Sequence, residues 1–294
     1  MSEKNTVIDK TLARRSFDRA ASTYDDAAVL QREVGERILE RLDLLRIQPE
    51  VILDIGSGTG YCTRFLSKRY ASANIVSMDF SMQMLKTARN QVDVSNNHFV
   101  CADMERLPFV DKSIDFIFSN LTVQWCNDLS SLFDEFKRIL KVDGLIMFST
   151  FGPDTLWELR ESWQSVDDFV HVNNFIDLHN IGDALFYAGM GDVVMDNEPF
   201  TLTYKEVKTL MKDLKDIGAH NVNAGRPHGM TGKAHLQKMM TAYEKFRVDG
   251  VLPATYEVIY GHAWALEKVK TKEPQSMSIP LDSIGFDVPD NSDS

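Results

Sequence analysis

Short runs of apolar residues alternate with helix-like stretches through the middle of the chain, from about residue 50 to residue 150. The runs are rich in branched and aromatic side chains, as buried strands are. The stretches between them place apolar residues at helical spacing, and Leu132, Phe133 and Phe136 are one example. This alternation predicts an α/β domain with a parallel sheet. The predicted strands are 51–55, 74–79, 98–101, 114–118 and 144–149.

Helical patterns flank this core on both sides. Residues 8–46 are predicted to be helical, with an apolar stripe that packs on the core. Residues 205–250 are predicted to form a helical insertion, in which a glycine-rich loop joins two helices. Strands are predicted before and after this insertion, within 191–204 and over 254–260, because both stretches are rich in β-branched and aromatic residues.

The chain has 294 residues, of which 44% are hydrophobic, and this suits one large domain with an elaboration. We expect a single domain over residues 1–270, in which residues 50–150 form the ligand-binding core. The final residues, 271–294, are rich in Pro, Asp and Ser and are predicted to be a flexible tail.

Composition argues against several classes of protein. The three cysteines, Cys62, Cys101 and Cys126, form no CxxC pair, which argues against a disulfide framework and a structural zinc site. The first residues lack the apolar segment of a signal peptide, and no stretch approaches the ~20 apolar residues that span a bilayer. A net charge of −11 argues against general nucleic-acid binding. We expect a cytoplasmic protein that acts on neither nucleic acid nor membrane and holds no metal.

The charge is distributed unevenly along the chain. Residues 201–250 contain nine basic and five acidic side chains, so this segment carries +4 and the remainder carries −15. A basic island on an acidic protein suits a docking face for an acidic partner. Solvated helix faces would explain the same pattern, and the sequence leaves both interpretations open.

The most specific local motif is Leu-Asp-Ile-Gly-Ser-Gly-Thr-Gly at residues 53–60, between a predicted strand and a predicted helix. Glycines in such a loop allow a sharp turn and a close approach of the backbone to a ligand. Dinucleotide-binding loops require Gly or Ala at the sixth position of GxGxxG, where this chain has Tyr61. The motif is instead an acidic strand end followed by GxGxG.

This arrangement resembles the class I S-adenosylmethionine-dependent methyltransferases over about residues 50–150. The resemblance implies that Asp79, at the end of the second strand, accepts both ribose hydroxyls of the cofactor. It implies that Asp103 accepts the adenine amino group while Met104 flanks the ring, and that Asn120 lies near the methionine end. Asn120 replaces the acid often found there in N-methyltransferases, which is compatible with an oxygen acceptor.

The same resemblance implies an S-adenosyl-L-methionine cofactor and a Rossmann-like fold. That fold is a doubly wound, mostly parallel sheet with a final antiparallel strand. Gly56, Gly58 and Gly60 would form the turn that approaches the cofactor, and Asp54 would act indirectly by holding the loop or a bound water. The other interpretation of each acid is a helix N-cap or a turn residue.

A carboxylate acceptor would place few demands on the protein, because it is ionised at pH 7 and needs no general base. It does need an orienting partner, and the fork of an arginine matches a carboxylate. Arg226 lies in the glycine-rich loop, which is the segment most suited to closing over a substrate, so we predict that it orients the acceptor. A surface or helix-capping role is the other interpretation.

Four further segments resemble the malonyl-acyl-carrier-protein O-methyltransferases of biotin synthesis, and together they extend the resemblance to about residues 8–266. The segments are 15–25, 152–160, 214–219 and 252–264. Enzymes of that family methylate the free carboxylate of a malonyl thioester, an early step toward a pimeloyl thioester. The ester masks the charge, so that fatty-acid enzymes can elongate the chain.

For this chain, the resemblance implies malonyl-acyl carrier protein or malonyl-CoA as the substrate. Acyl carrier protein is strongly acidic, so the basic segment 205–247 would be its docking site. Tyr24 and Gln31 on the entry helices would close over the methionine part of the cofactor.

Two other functions are weighed against this one. A methyltransferase of a quinone or small acid would need a wide apolar pocket and would not explain the basic insertion. Complex I assembly factors share the run from Asp154 to Arg160 and act on a protein client. The segments 215–219 and 256–264 resemble the biotin enzyme more closely, which favours the malonyl substrate.

Overall fold

The computed structural model describes residues 7–93, 95–219, 221–223, 225–226 and 232–267. The predicted tail, 271–294, lies outside these residues. None of the described helices is long and apolar enough to cross a membrane.

The described residues form one seven-stranded sheet with the order β3-β2-β1-β4-β5-β7-β6. Strands β1 to β5 are parallel, and β7 lies antiparallel between β5 and β6. This topology confirms the predicted Rossmann-like fold with an antiparallel strand. The strands are β1 (Val51–Ile55), β2 (Asn74–Asp79), β3 (Asn97–Cys101), β4 (Ile114–Ser119), β5 (Leu140–Phe151), β6 (Gly191–Tyr204) and β7 (Leu252–Ala265).

Helices cover both faces of the sheet, and each face has its own apolar core. The predicted stripe of α6 is buried, since Leu132, Phe133 and Phe136 have no exposed surface. The helices in the described part of the chain are α1 (Lys10–Ala20), α2 (Tyr24–Ala27), α3 (Val29–Arg41), α4 (Tyr61–Arg69), α5 (Met82–Gln91), α6 (Leu129–Ile139), α7 (Trp157–Gln164), α8 (Leu178–Tyr187), α9 (Val207–Asp216) and α10 (Lys233–Tyr243).

Two features of the helices were not expected from the sequence. The predicted helical region 8–46 is divided into α1, α2 and α3, and the breaks let its first part turn across the sheet. Helices α7 and α8 were not predicted. Helix α7 depends on a long-range contact, because the buried Glu158 accepts hydrogen bonds from the backbone N–H and the hydroxyl of Thr255 on β7.

The strand order also determines where a ligand binds. Strands β1 and β4 are neighbours, and the chain leaves them toward opposite parts of the sheet. In open α/β sheets, ligands bind in the crevice at such a switch point, beside the carboxyl ends of the strands. The loops after β1, β2, β3 and β4 therefore converge on one site.

Candidate active site at the carboxyl ends of the strands

The glycine-rich turn after β1 is tied to the end of β2. The backbone N–H groups of Gly56 and Ser57 donate to the carbonyl oxygen of Met78, at 2.7 and 3.0 Å. The N–H of Gly58 donates to Oδ2 of Asp79 at 3.0 Å. Gly56 and Gly58 have φ angles of +69° and +55°, which residues other than glycine rarely adopt. The turn and the acid are therefore one hydrogen-bonded unit.

Gly56→Ala is expected to lower stability far more than Gly58→Ala. A Cβ at position 56 would lie 2.0 Å from Oγ1 of Thr122, whereas a Cβ at position 58 would have no neighbour within 4 Å. Both variants carry the cost of a left-handed backbone, about 1 kcal/mol, but only Gly56→Ala must also displace the loop after β4. Urea unfolding of the two variants measures the difference, and equal losses of stability would contradict this account.

Asp79 is a buried acid whose two oxygens face different groups. Oδ1 accepts the N–H of Ser81 at 2.8 Å, and Oδ2 accepts the Gly58 N–H described above. Burial raises the pKa of Asp79 to about 6, although these N–H groups oppose the rise. Because the side chain also lines the cavity beside the turn, it presents acceptor oxygens to a ligand there.

Asp54 lies at the end of β1, below the same turn, and is fully buried. Its Oδ2 accepts the hydroxyl hydrogen of Thr63 at 2.5 Å. Burial raises the pKa of Asp54 to about 7, and the negative charge of Asp79 adds to the rise. Asp54 lines a smaller space next to the main cavity rather than the cavity itself, and its indirect role stays a prediction.

Asp103 and Met104 follow β3 and line the opposite side of the cavity. Oδ1 of Asp103 accepts the Glu105 N–H at 3.1 Å and also the Lys10 ammonium at 2.9 Å. Lys10 is on α1, so this ion pair fastens the first helix over the cavity. The sequence did not indicate this contact, because the two residues are far apart along the chain.

Asn120 follows β4 and is held between two other elements. Its Nδ2 donates to the carbonyl oxygen of Gln31 at 2.8 Å, and its Oδ1 accepts the Ser149 hydroxyl at 2.8 Å. Tyr24, from α2, lines the cavity beside Asn120. Burial, followed by the nearby charge of Asp79, raises the pKa of Tyr24, so the side chain is a neutral phenol at pH 7.

The structure therefore brings most of the predicted cofactor residues together around a cavity of about 600 Å³. Gly60 packs instead against Val92 and Ala88. Those lining the cavity are Tyr24, Gly56, Gly58, Asp79, Asp103, Met104 and Asn120.

These residues fit S-adenosyl-L-methionine. The open space at Gly58 admits a close approach, Asp79 and Asp103 supply acceptors for ribose hydroxyls and an amino group, and Met104 supplies an apolar wall.

A second cavity of about 960 Å³ adjoins the first, and the two share Phe17, Tyr24, Leu121 and Trp125 as walls. Gln31 lines only the second of these two cavities. The second cavity is mainly apolar, with walls from α2, α3, α7, β7 and the segment after α9. An acceptor bound in it would meet the end of a cofactor bound in the first.

His171 lines this second cavity and was missed by the sequence analysis. Its ring stacks on Trp163, with 3.8 Å between ring centroids, and its Nε2 is 2.8 Å from Oδ1 of Asp167. Burial would raise the pKa of Asp167, but hydrogen bonds from His171 and a backbone N–H outweigh it and lower that pKa. Among the described residues that line the cavity, His171 alone can carry a positive charge. The four-residue spacing of Trp163, Asp167 and His171 was the signal available in the sequence.

Arg226 lies in the segment before α10 and is not among the residues that line either cavity. Its Nη1 donates to the carbonyl oxygen of Asn223 at 2.9 Å. Residues 220, 224 and 227–231 around it lie outside the described part of the chain. The orienting role of Arg226 stays a prediction.

Comparison with known proteins agrees with this geometry. The family profile described as a methyltransferase domain matches residues 53–148, from the middle of β1 through β4 to most of β5. A protein from Bacillus halodurans C-125, described as a methyltransferase, has a solved structure that superposes with a TM-score of 0.57. It is 16% identical and covers 79% of this chain and 99% of its own, so it supports the fold alone.

Two curated relatives are much closer in sequence. The malonyl-acyl-carrier-protein O-methyltransferase of Methylovorus sp. (strain MP688) is 54% identical over 265 residues, covering 88% of this chain and 90% of its own length. The enzyme of the same name from Gallionella capsiferriformans (strain ES-2) is 51% identical, covering 88% and 91%. Identity at this level over nearly the whole length, with a matching fold and cavity, shows that the chain belongs to the malonyl-acyl-carrier-protein O-methyltransferase family.

Proposed function

We propose that residues 1–270 act as one methyltransferase domain. It transfers the methyl group of S-adenosyl-L-methionine to the free carboxylate of malonyl-acyl carrier protein, an early step of biotin synthesis. The observation that carries the proposal is the junction of the two cavities at Tyr24, Leu121 and Trp125. The names of the relatives favour this acceptor over a quinone, a small acid or a protein client.

The cofactor supplies an electrophilic methyl group on a sulfonium, and the residues of the first cavity hold it. We assign Asp79 to the ribose hydroxyls, Asp103 to the adenine amino group and Met104 to the adenine face. Gly56 and Gly58 allow the backbone to approach, with Gly60 and Asp54 supporting the turn. Tyr24, Gln31 and Asn120 close the methionine end, where the hydrogen bond from Asn120 to the Gln31 carbonyl joins two of them.

The protein contributes positioning rather than acid–base chemistry. A malonyl carboxylate is ionised at pH 7, so no residue needs to remove a proton. The second cavity holds the carboxylate against the first, and its apolar walls exclude water. Fixing two reactants in near-attack geometry supplies much of the rate acceleration in such displacements.

We assign docking of the carrier to the basic segment 205–247. Three of its cations are already in ion pairs, namely Lys212 with Asp216, Lys245 with Glu161 and Arg247 with Glu244. Five others are exposed and have no acidic partner among the described residues, which leaves them free for an acidic protein. They are Lys205, Lys208, Lys215, Lys233 and Lys238.

The proposal also places the reaction in the cytoplasm. All three cysteines are free, and Cys62 and Cys126 are buried. Disulfide-free proteins with buried thiols suit a reducing compartment.

Arg226→Ala is expected to raise the KM for the malonyl thioester about tenfold while leaving the affinity for the cofactor unchanged. One hydrogen bond to a charged group contributes about 1.5–3 kcal/mol, and the guanidinium makes one hydrogen bond to the described residues. Steady-state kinetics with varied malonyl thioester measures the change. Unchanged turnover and KM in Arg226→Ala would remove this role. His171→Gln is the comparison variant, because His171 lines the second cavity whereas Arg226 does not.

The test of the function uses the purified chain, methyl-labelled S-adenosyl-L-methionine and malonyl-acyl carrier protein. Malonyl-CoA and acetyl-acyl carrier protein run alongside it. Base-labile label on the malonyl thioester, absent from the acetyl control, would establish the reaction and the acceptor. Absence of transfer with cofactor binding intact would overturn the malonyl assignment.

A further inference from the structure

We infer that the acyl carrier docks over the seam where α1 meets the end of α9, with Arg15, Arg19 and Lys215 as its main contacts. The inference rests on the proposed function and extends the docking surface from the basic segment to the first helix. Arg15 and Arg19 lie far from this segment along the chain and are brought beside it only by the fold.

The seam is a wall of the acceptor cavity. Phe17, Tyr24 and Ala27 line the cavity from the N-terminal side of the seam. Ile217 and Ala219, directly after α9, line it from the other side. A carrier bound over the seam would therefore hold its thioester beside the acceptor cavity.

The two sides of the seam touch closely. A Cβ on Gly218 would lie 3.2 Å from both the Ala20 Cβ and the Ser16 carbonyl oxygen, so the backbone after α9 rests on α1. The Thr23 hydroxyl donates to the carbonyl oxygen of Asp216 at 2.9 Å. Cations on α1 and at the end of α9 therefore lie on the two sides of one closely packed seam.

Helix α1 presents uncompensated positive charge there. Arg15 and Arg19 are one helical turn apart, are exposed, and have no acidic partner among the described residues. Two other charged residues of α1 already have partners within the protein. Asp18 accepts the Ser81 hydroxyl at 2.7 Å, and Lys10 pairs with Asp103 at 2.9 Å.

Lys215 continues this positive surface on α9. It is exposed and has no acidic partner among the described residues, in contrast to Lys212, whose ammonium is 2.5 Å from Asp216. The chain as a whole carries −11, so it repels an acidic protein except where positive charge is concentrated. A local basic surface beside the cavity both attracts the acidic carrier and sets its orientation.

The test is the double charge reversal Arg15→Glu/Arg19→Glu, assayed with two malonyl thioesters. One is malonyl-acyl carrier protein, and the other is malonyl-N-acetylcysteamine, which has no carrier protein. We expect the KM for malonyl-acyl carrier protein to rise about tenfold or more, because charge complementarity changes encounter rates by about this factor or more. We expect kcat with the carrier, and both constants with the small thioester, to stay within twofold of the wild-type values.

The matched control is Lys68→Glu/Lys112→Glu, which makes the same change in net charge. Both lysines are exposed, and they lie at the end of α4 and before β4, at the opposite edge of the sheet from the cavity. We expect this control to change the KM for the carrier less than twofold. Equal effects of the two reversals, or equal loss with both thioesters in Arg15→Glu/Arg19→Glu, would overturn the docking surface. Failure of the wild-type chain to methylate either thioester would instead overturn the proposed function.

Discussion

Asp79→Asn is expected to weaken binding of S-adenosyl-L-methionine by at least about 100-fold. The carboxylate faces the cavity with acceptor oxygens, and an amide retains only one of them. A hydrogen bond to a charged group contributes about 1.5–3 kcal/mol. The amide loses one such bond and weakens the other, whose acceptor is no longer charged, so the total loss is about 3 kcal/mol. In either orientation of the amide, its NH2 group faces the backbone N–H of Gly58 or of Ser81. Two donors then face each other, which disturbs the turn.

Isothermal titration with the cofactor or its demethylated product measures this loss directly. Asp134→Asn is the matched control, because Asp134 is an exposed acid on α6, away from the cavity. Urea unfolding of both variants separates a loss of binding from a loss of folding. A folded Asp79→Asn variant that binds the cofactor within threefold of the wild-type affinity would contradict the assignment.

The ligand-free protein is expected to lose stability as the pH rises from 5 to 8. Burial raises the pKa of Asp54 to about 7 and that of Asp79 to about 6, from an ordinary value of 3.8. The folded state therefore holds protons that the unfolded state has already released. The contribution of these bound protons to the free energy of unfolding is complete below the ordinary pKa of 3.8. It is lost as the pH rises through the raised pKa values. For Asp54 alone, the shift corresponds to about 4 kcal/mol.

Urea unfolding at several pH values checks this slope, and Asp54→Asn tests its source. The amide cannot ionise, and its oxygen can still accept the Thr63 hydroxyl that Asp54 now accepts. We expect the variant to be more stable than the wild type at pH 8 and to have a flatter pH profile. A wild-type free energy of unfolding that stays constant or rises between pH 5 and pH 8 would contradict this expectation.

Much of the architecture could be predicted from the sequence because it depends on local patterns. The five apolar runs of the core each became a strand, and the stretches 191–204 and 254–260 became β6 and β7. Parallel strands with connections of this length fold into a doubly wound sheet, and the carboxyl ends of such strands meet at one edge. For this reason the acids that end or follow β2 and β3 could be expected beside the same cavity as the glycine turn.

The acceptor side of the site could not be predicted in the same way. Its walls come from α2, α3, α7, β7 and the segment after α9, which are brought together only by packing. His171 belongs to no apolar pattern, and its place depends on stacking against Trp163. Arg226 was chosen for its glycine-flanked position in the sequence, but spacing along a loop does not determine which way the loop folds.

The sequence by itself therefore determined the sheet, the glycine turn, the acids beside it and membership of the family, because each depends on local pattern or on overall similarity. The tertiary structure decided how the first helix covers the cofactor cavity, through the ion pair of Lys10 with Asp103. It also decided which residues line the second cavity and which cations lie at the seam between α1 and the end of α9. Those features depend on contacts between residues that are distant in sequence, and no local pattern encodes such contacts.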